Sequence, residues 1–128
     1  MNIIRETKFD FDDVLIRPKR STLSSRKEVE LVKTIHTLNS KQTLTGIPIF
    51  AANMDAVGTF SIAKELSKYQ MFTCLHKFYP KEELIEFFKN NTIQPCVTDH
   101  VFYTLGTGNE DIKKLDEIAS KVNINKIC

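Results

Sequence analysis

Residues 47–128 alternate between short apolar runs and segments with the periodicity of an amphipathic helix, and this alternation limits the possible fold more than any other feature. The apolar runs are Ile47–Ala52, Met71–Leu75, Val101–Leu105 and Ile124–Cys128. Helical spacing follows each of the first three runs. Because strands that alternate with helices form a parallel sheet covered by those helices, we predict an α/β fold in the order β-α-β-α-β-α-β.

Each predicted helix has a recognisable start. Thr59 precedes the first apolar stripe, Pro80 is expected at the first position of the second helix, and Asn109 is expected to cap a third helix over Glu110–Val122. Threonine and asparagine side chains satisfy free N–H groups at a helix start, and proline has no N–H to leave unpaired there. Pro48, in contrast, is expected near the first residues of its strand.

The first 46 residues differ in composition from the rest of the chain and lack its alternation of apolar runs and helical segments. Arg17–Ser21 and Ser24–Lys27 are polar and basic, and they indicate an ordered loop or arm that Pro18 keeps out of regular structure. Val29–Thr37 alternates as a strand does, and Asn39–Gln42 would return it as a hairpin. We therefore divide the chain into an N-terminal arm with a strand or hairpin, residues 1–46, and a parallel α/β part, residues 47–128.

Composition excludes several classes of function. Lys and Arg number 18 against 16 Asp and Glu, which is too small an excess for a nucleic-acid footprint. No apolar run approaches the roughly 18 residues of a membrane span, and the N-terminus does not resemble a signal peptide. The three widely spaced cysteines, Cys74, Cys96 and Cys128, indicate free thiols in a reducing compartment, and no zinc pattern is present. We expect a cytoplasmic protein with no nucleic-acid, membrane or metal partner.

Length leaves two architectures open. A chain of 128 residues fits a small flavodoxin-like domain or the first half of a barrel, since a closed eight-unit barrel needs about 250 residues. In an open domain the last apolar run would be an exposed parallel edge, which favours the half barrel. In both architectures the functional loops follow the carboxyl ends of the strands, here Asn53–Gly58, His76–Tyr79 and Gly106–Gly108.

Four segments resemble a known family. They are Phe11–Leu23 with Ser25-Arg26, Asn39–Gln42 with Gly46–Ile49, Ala51–Phe60, and Met71–Thr73 with His76–Tyr79. Over about residues 7–128 the chain resembles the amino-terminal third of proteins in the IMP dehydrogenase/GMP reductase family. The arginine-rich arm and the His76-Lys77 pair are similar to its reductase branch.

The resemblance implies a (β/α)8 TIM barrel, of which this chain would hold the arm and the first four strands. It also implies NADPH-dependent reductive deamination of GMP to IMP and ammonia. The family's cysteine nucleophile lies downstream of the matched region, so none of the three cysteines is assigned to catalysis and we expect these 128 residues alone to be inactive. A K+ site and a homotetramer are expected only in the complete enzyme.

Four residues match binding positions of the family. Ser25, Arg26 and Lys77 match positions that contact NADPH, and Met54 matches a position that packs on the purine of GMP or IMP. Arginine and serine suit a phosphate, and a thioether suits an aromatic face. A solvated basic loop and an ordinary core methionine remain the alternatives. Asn53 and Asp55 are expected to orient their loop through local hydrogen bonds.

Two positions depart from the family pattern, because Ala56 stands where threonine is usual and Phe78 stands where histidine is usual.

Two other functions stay open. An IMP dehydrogenase-type oxidoreductase would usually carry a regulatory domain, for which Pro80–Gly108 is too short. A receiver-like or flavodoxin-like module without enzymatic activity would need acidic residues at the strand ends, but Asp10, Asp12 and Asp13 precede the strands.

Overall fold

The structure, a computed structural model, describes residues 5–91 and 97–128. Its four-stranded sheet has the order β1 (Lys33–His36), β2 (Thr43–Ala51), β3 (Met71–Cys74) and β4 (Val101–Phe102). β1 pairs antiparallel with β2, and the remaining pairs are parallel. The helices are α1 (Phe60–Ser67), α2 (Lys81–Asn90) and α3 (Asn109–Ala119), and short 3-10 turns cover Phe11–Asp13, Arg26–Glu28 and Val97–His100. The mixed α/β class and the initial hairpin are confirmed.

Strand β2 is longer than the apolar run that predicted it. It begins at Thr43 and crosses the predicted division between residues 46 and 47 without a break. The expectation that Pro48 lies near a strand start was wrong, because Pro48 lies in the middle of β2. Its missing N–H is tolerated because the pairing with β3 shifts register between Ile47 and Phe50.

Two helix starts differ by one residue from the prediction. Asn109 is the first residue of α3 rather than its cap, since the extended Gly108 precedes it and accepts a hydrogen bond from the backbone N of Ile112 at 3.1 Å. Pro80 likewise precedes α2 instead of opening it. Thr59 is confirmed as a cap, because its Oγ1 accepts from the backbone N of Ile62 at 3.3 Å.

The core lies between the sheet and the three helices. The side chains that form it are Ala63, Leu75, Leu84, Phe87, Phe88, Val101, Tyr103 and Ile118. They include residues of all three predicted apolar stripes, which explains why those helices form. Complete burial of a leucine or isoleucine is worth about 1.5–3 kcal/mol, so this cluster positions the strand ends securely.

The last described residues lie beside β4. Tyr103 and Ile127 form a parallel bridge, and the backbone N of Cys128 donates to the carbonyl of Tyr103 at 2.9 Å. The predicted fourth apolar run therefore pairs as expected, although as a single bridge. No helix in the described ranges is long and apolar enough to cross a membrane.

A second apolar surface lies away from the helical core. The Phe50 ring stacks on that of Phe72 with centroids 4.7 Å apart, and Phe102 lies against both rings. Phe50 is 44% exposed. Further apolar side chains are exposed on the arm, among them Phe11, Leu15 and Ile16.

Candidate functional site

The loops that follow β2 and β3 are packed directly against each other. The backbone N of His76 donates to the carbonyl of Gly58 at 2.9 Å. A Cβ at Gly58 would collide with the carbonyl oxygen of Cys74 and would lie 2.9 Å from that of Ala52. Glycine is therefore required for this close approach, and the structure brings the first two predicted loops together.

The loop after β2 is closed by its own backbone. The carbonyl of Met54 accepts from the backbone N of Val57 at 2.9 Å and from that of Gly58 at 2.7 Å. Neither Asn53 nor Asp55 forms a side-chain hydrogen bond within the described ranges, so the expectation that they orient this loop was wrong. The Met54 side chain is 62% exposed, so it is not a core methionine in this structure.

Aromatic rings anchor the loop after β3. The Tyr79 ring lies between those of His76 and Phe60, with centroid distances of 4.0 Å and 3.7 Å and nearly parallel planes. The Tyr79 hydroxyl accepts a hydrogen bond from the backbone N of Phe60 at 3.1 Å. Since Phe60 in turn stacks on Phe87 at 4.3 Å, the loop is fixed to the start of α1 and to the core.

A lysine of α3 holds the same loop from the other side. The Lys114 ammonium donates to the carbonyl of Tyr79 at 2.6 Å and to that of Lys77 at 3.3 Å. These two carbonyls flank Phe78, whose side chain is 64% exposed. The backbone around Lys77 is thus held by side chains from two helices.

The Lys77 side chain itself extends from this loop. Its Nζ lies 5.7 Å from the centroid of the Phe78 ring, a distance at which a cation and an aromatic face attract each other. Within the described part of the chain Lys77 forms no ion pair. Its positive charge is therefore available to an anionic ligand, and Phe78 keeps an aromatic ring where the family usually has histidine.

The acidic side chain of Asp111, from the first turn of α3, lies against the loop Gly106–Gly108 that follows β4. A Cβ at Gly106 would collide with a carboxylate oxygen of Asp111, which shows how closely that carboxylate approaches the loop. Burial, followed by the negative charge of Asp111, raises the pKa of Tyr103. A negative charge at this place disfavours an anion, so Gly106–Gly108 is not a free phosphate cradle.

The two predicted cofactor residues of the arm lie in a separate feature. Ser25 begins the 3-10 turn Arg26–Glu28, and its Oγ accepts from the backbone N of Lys27 at 3.3 Å. Both Ser25 and Arg26 are exposed and line a shallow cavity of about 280 Å³. No hydrogen bond of the described residues joins the turn Ser25–Glu28 to the loop His76–Tyr79.

Cys74 is not an activated nucleophile. Cys74 is half-buried at the end of β3, and burial, followed by the neighbouring Cys128, raises the pKa of its thiol to about 11. The thiolate is the nucleophilic form, so Cys74 is unreactive near neutral pH. Cys96 lies outside the described residues.

Reasoning from sequence missed Lys114 and Tyr79. Lys114 falls outside the apolar stripe predicted for the third helix, and a lysine in such a place is usually only a solvated charge. Tyr79 is the last residue of a predicted loop, and its aromatic side chain was the one available sign that the loop packs. The partner of Lys114 is 35 residues away, and no local pattern carries that information.

Comparisons with known proteins find a matching family model and several relatives. The family model described as the IMP dehydrogenase / GMP reductase domain matches residues 8–95. The chain is 46% identical to GMP reductase 2 of Bos taurus and 45% identical to GMP reductase 2 of Homo sapiens, each over 128 residues that make up 99% of this chain and 36% of the relative. It is 43% identical to GMP reductase of Klebsiella pneumoniae, over all of this chain and 37% of the relative. The chain spans a little over a third of the length of these curated relatives, and it belongs to the IMP dehydrogenase/GMP reductase family.

Proposed function

We propose that this chain is the amino-terminal part of a GMP reductase, a cytoplasmic oxidoreductase of purine nucleotide metabolism. The observation that carries the proposal is 43–46% identity to GMP reductases over essentially the whole chain. The reaction consumes GMP, NADPH and two protons, and it yields IMP, NADP+ and an ammonium ion. The complete enzyme is proposed to be a homotetramer with a K+ site.

The fold supports a (β/α)8 barrel as the architecture of the complete enzyme. β2, β3, β4 and residues 126–128 would be its first four parallel strands, with α1, α2 and α3 outside. The apolar surface around Phe50, Phe72 and Phe102 would face the barrel interior, which is a packed core in this fold. The loops after these strands then lie at the end where barrel enzymes bind their substrates.

The charges of the chain fit NADPH, which supplies a hydride when bound. Lys77 presents an ammonium without an ion-pair partner in the described ranges, and Arg26 presents an exposed guanidinium beside the Ser25 hydroxyl. These groups suit phosphate oxygens. Exposed Met54, on the neighbouring loop, would pack on the purine of GMP or IMP.

The nucleophilic thiolate is proposed to come from outside these 128 residues. Burial raises the pKa of the Cys74 thiol to about 11 and so reduces its thiolate fraction below that of an ordinary cysteine. Cys128 lies where residues 126–128 pair with Tyr103 and Leu105, directly after β4. The chain therefore contributes cofactor and purine contacts, and residues 1–128 alone should not turn over GMP.

A chimeric enzyme tests this function. Residues 1–128 replace the matching part of bovine GMP reductase 2, and NADPH oxidation is followed by absorbance with GMP as substrate. We expect GMP-dependent oxidation by the chimera and none by the 128-residue chain. A folded chimera without activity, or turnover by the 128-residue chain, would refute the proposal.

A substitution in the chimera tests the assignment of Lys77. Lys77→Met removes the charge and retains most of the side-chain length, so the KM for NADPH should rise about tenfold, as expected for the loss of a hydrogen bond to a charged group. Lys113→Met is the matched control, since Lys113 is an exposed lysine of α3. Equal KM values in the two variants would remove Lys77 from the cofactor site.

A further inference from the structure

The ammonium of Lys114 occupies an unusual place for a lysine, because Lys114 lies on the inward side of α3, one turn before the buried Ile118. Its side chain is half-buried, and its Nζ lies within hydrogen-bonding distance of two backbone carbonyls instead of pointing into solvent. An ammonium has three donors and no acceptor, so it can serve both carbonyls at once. Hydrogen bonds from a charged donor are stronger than those between neutral groups.

The two carbonyls belong to the segment that carries Lys77. One is the carbonyl of Lys77 itself, at 3.3 Å, and the other is that of Tyr79, at 2.6 Å. Since the carbonyl carbon of Lys77 is bonded to its Cα, a hydrogen bond to this oxygen restricts the base of the Lys77 side chain. The bond from His76 to Gly58 restricts the preceding residue from the opposite side.

We propose that Lys114 is a positioning residue for NADPH binding, which fixes the loop His76–Tyr79 so that the Lys77 ammonium is presented to the cofactor in one orientation. This inference rests on the proposed assignment of Lys77 to NADPH. Lys114 is not itself placed in contact with the cofactor. Without it, the loop would be held only by the Tyr79 ring stack and the bond from His76 to Gly58, and fixing the Lys77 ammonium when the cofactor binds would weaken affinity.

The kinetic experiment uses the chimera with three variants. Lys114→Met removes the donors and keeps the apolar stem, Lys114→Arg restores a charged donor, and Lys113→Met on the same helix is the control. We expect Lys114→Met to raise the KM for NADPH about fivefold, the size expected from losing one net hydrogen bond, with kcat changed less than twofold. Lys114→Arg should recover most of the affinity, and Lys113→Met should leave KM unchanged.

A second measurement observes the loop without any cofactor. Tryptic cleavage after Lys77 in the 128-residue chain, followed by mass spectrometry, reports how often this loop opens. Lys114→Met should accelerate this cleavage about fivefold relative to Lys113→Met, which removes one tryptic site in the same way.

The two experiments separate the inference from the proposed function. An inactive unsubstituted chimera refutes the proposed function alone, and the cleavage rate then decides whether Lys114 fixes the loop. Unchanged cleavage in Lys114→Met overturns the inference whatever the activity. In an active chimera, an unchanged KM, an equal rise in the Lys113→Met control or a fall confined to kcat overturns it as well.

Discussion

Gly58→Ala should destabilise the folded chain, because an added Cβ would come too close to three backbone atoms. The added Cβ would collide with the carbonyl oxygen of Cys74 and would lie 2.9 Å from that of Ala52 and 3.0 Å from the backbone N of His76. All three are backbone atoms, so no flexible side chain can move aside. The added methyl group would therefore strain the loop after β2 and break the bond from His76 to Gly58.

The expected cost follows from three contributions. Overpacking typically costs about 1–3 kcal/mol, and a lost hydrogen bond costs about 0.5–1.5 kcal/mol. Replacing glycine by alanine recovers about 0.4–1 kcal/mol, because the unfolded chain loses conformational freedom. The free energy of unfolding should therefore fall by about 2 kcal/mol.

Urea denaturation followed by circular dichroism measures this change. Gly108→Ala is the matched control, because its Cβ would meet only a carboxylate oxygen of Asp111 at 3.5 Å, an ordinary contact distance. The control should stay within about 0.5 kcal/mol of the unsubstituted chain, since the same gain from the unfolded state offsets its altered helix cap. Equal midpoints for Gly58→Ala and Gly108→Ala would refute the idea that the two loops are packed at backbone distance.

Two further predictions concern the same end of the sheet. At pH 8, Cys74 should react with iodoacetamide about a hundredfold more slowly than an ordinary thiol, because its pKa is raised from 9.0 to about 11, and its rate should climb until the pH reaches about 11. Because burial is the larger cause, Cys128→Ser should leave this slow rate nearly unchanged, and fast labelling of Cys74 at pH 8 would contradict the burial. Tyr79→Phe keeps the ring stack but removes the acceptor for the backbone N of Phe60, so urea titration should show a loss of about 1 kcal/mol. An unchanged midpoint would mean that water replaces the hydroxyl at no cost.

The helices were predictable because their signal is local. Apolar residues recur at helical spacing and define the helix faces that the fold buries, among them Leu84, Phe87 and Ile118. The start of β2 was not predictable from its apolar run, since the hairpin with β1 extends the strand to Thr43. Pro48 shows the same limit, because its tolerance depends on a register shift against β3 that is a property of the pairing.

The candidate site was predictable in place but not in detail. Parallel topology indicates that the loops after the strands meet, and Gly58 and His76 do so. The roles expected for Lys77 and Met54 came from the family resemblance and stay predictions. The hydrogen bonds of Lys114 and the packing of Tyr79 are long-range contacts, and a single sequence carries no pattern for them.

The aromatic column of His76, Tyr79, Phe60 and Phe87 determines how this edge of the molecule can move. A loop that opens as a lid has few buried contacts, whereas here the rings lie 3.7–4.3 Å apart and the last of them is in the core. Opening the loop would separate stacked rings, so it should open together with the core and far more rarely than an ordinary surface loop. A ligand arriving at this edge would therefore meet a preformed wall.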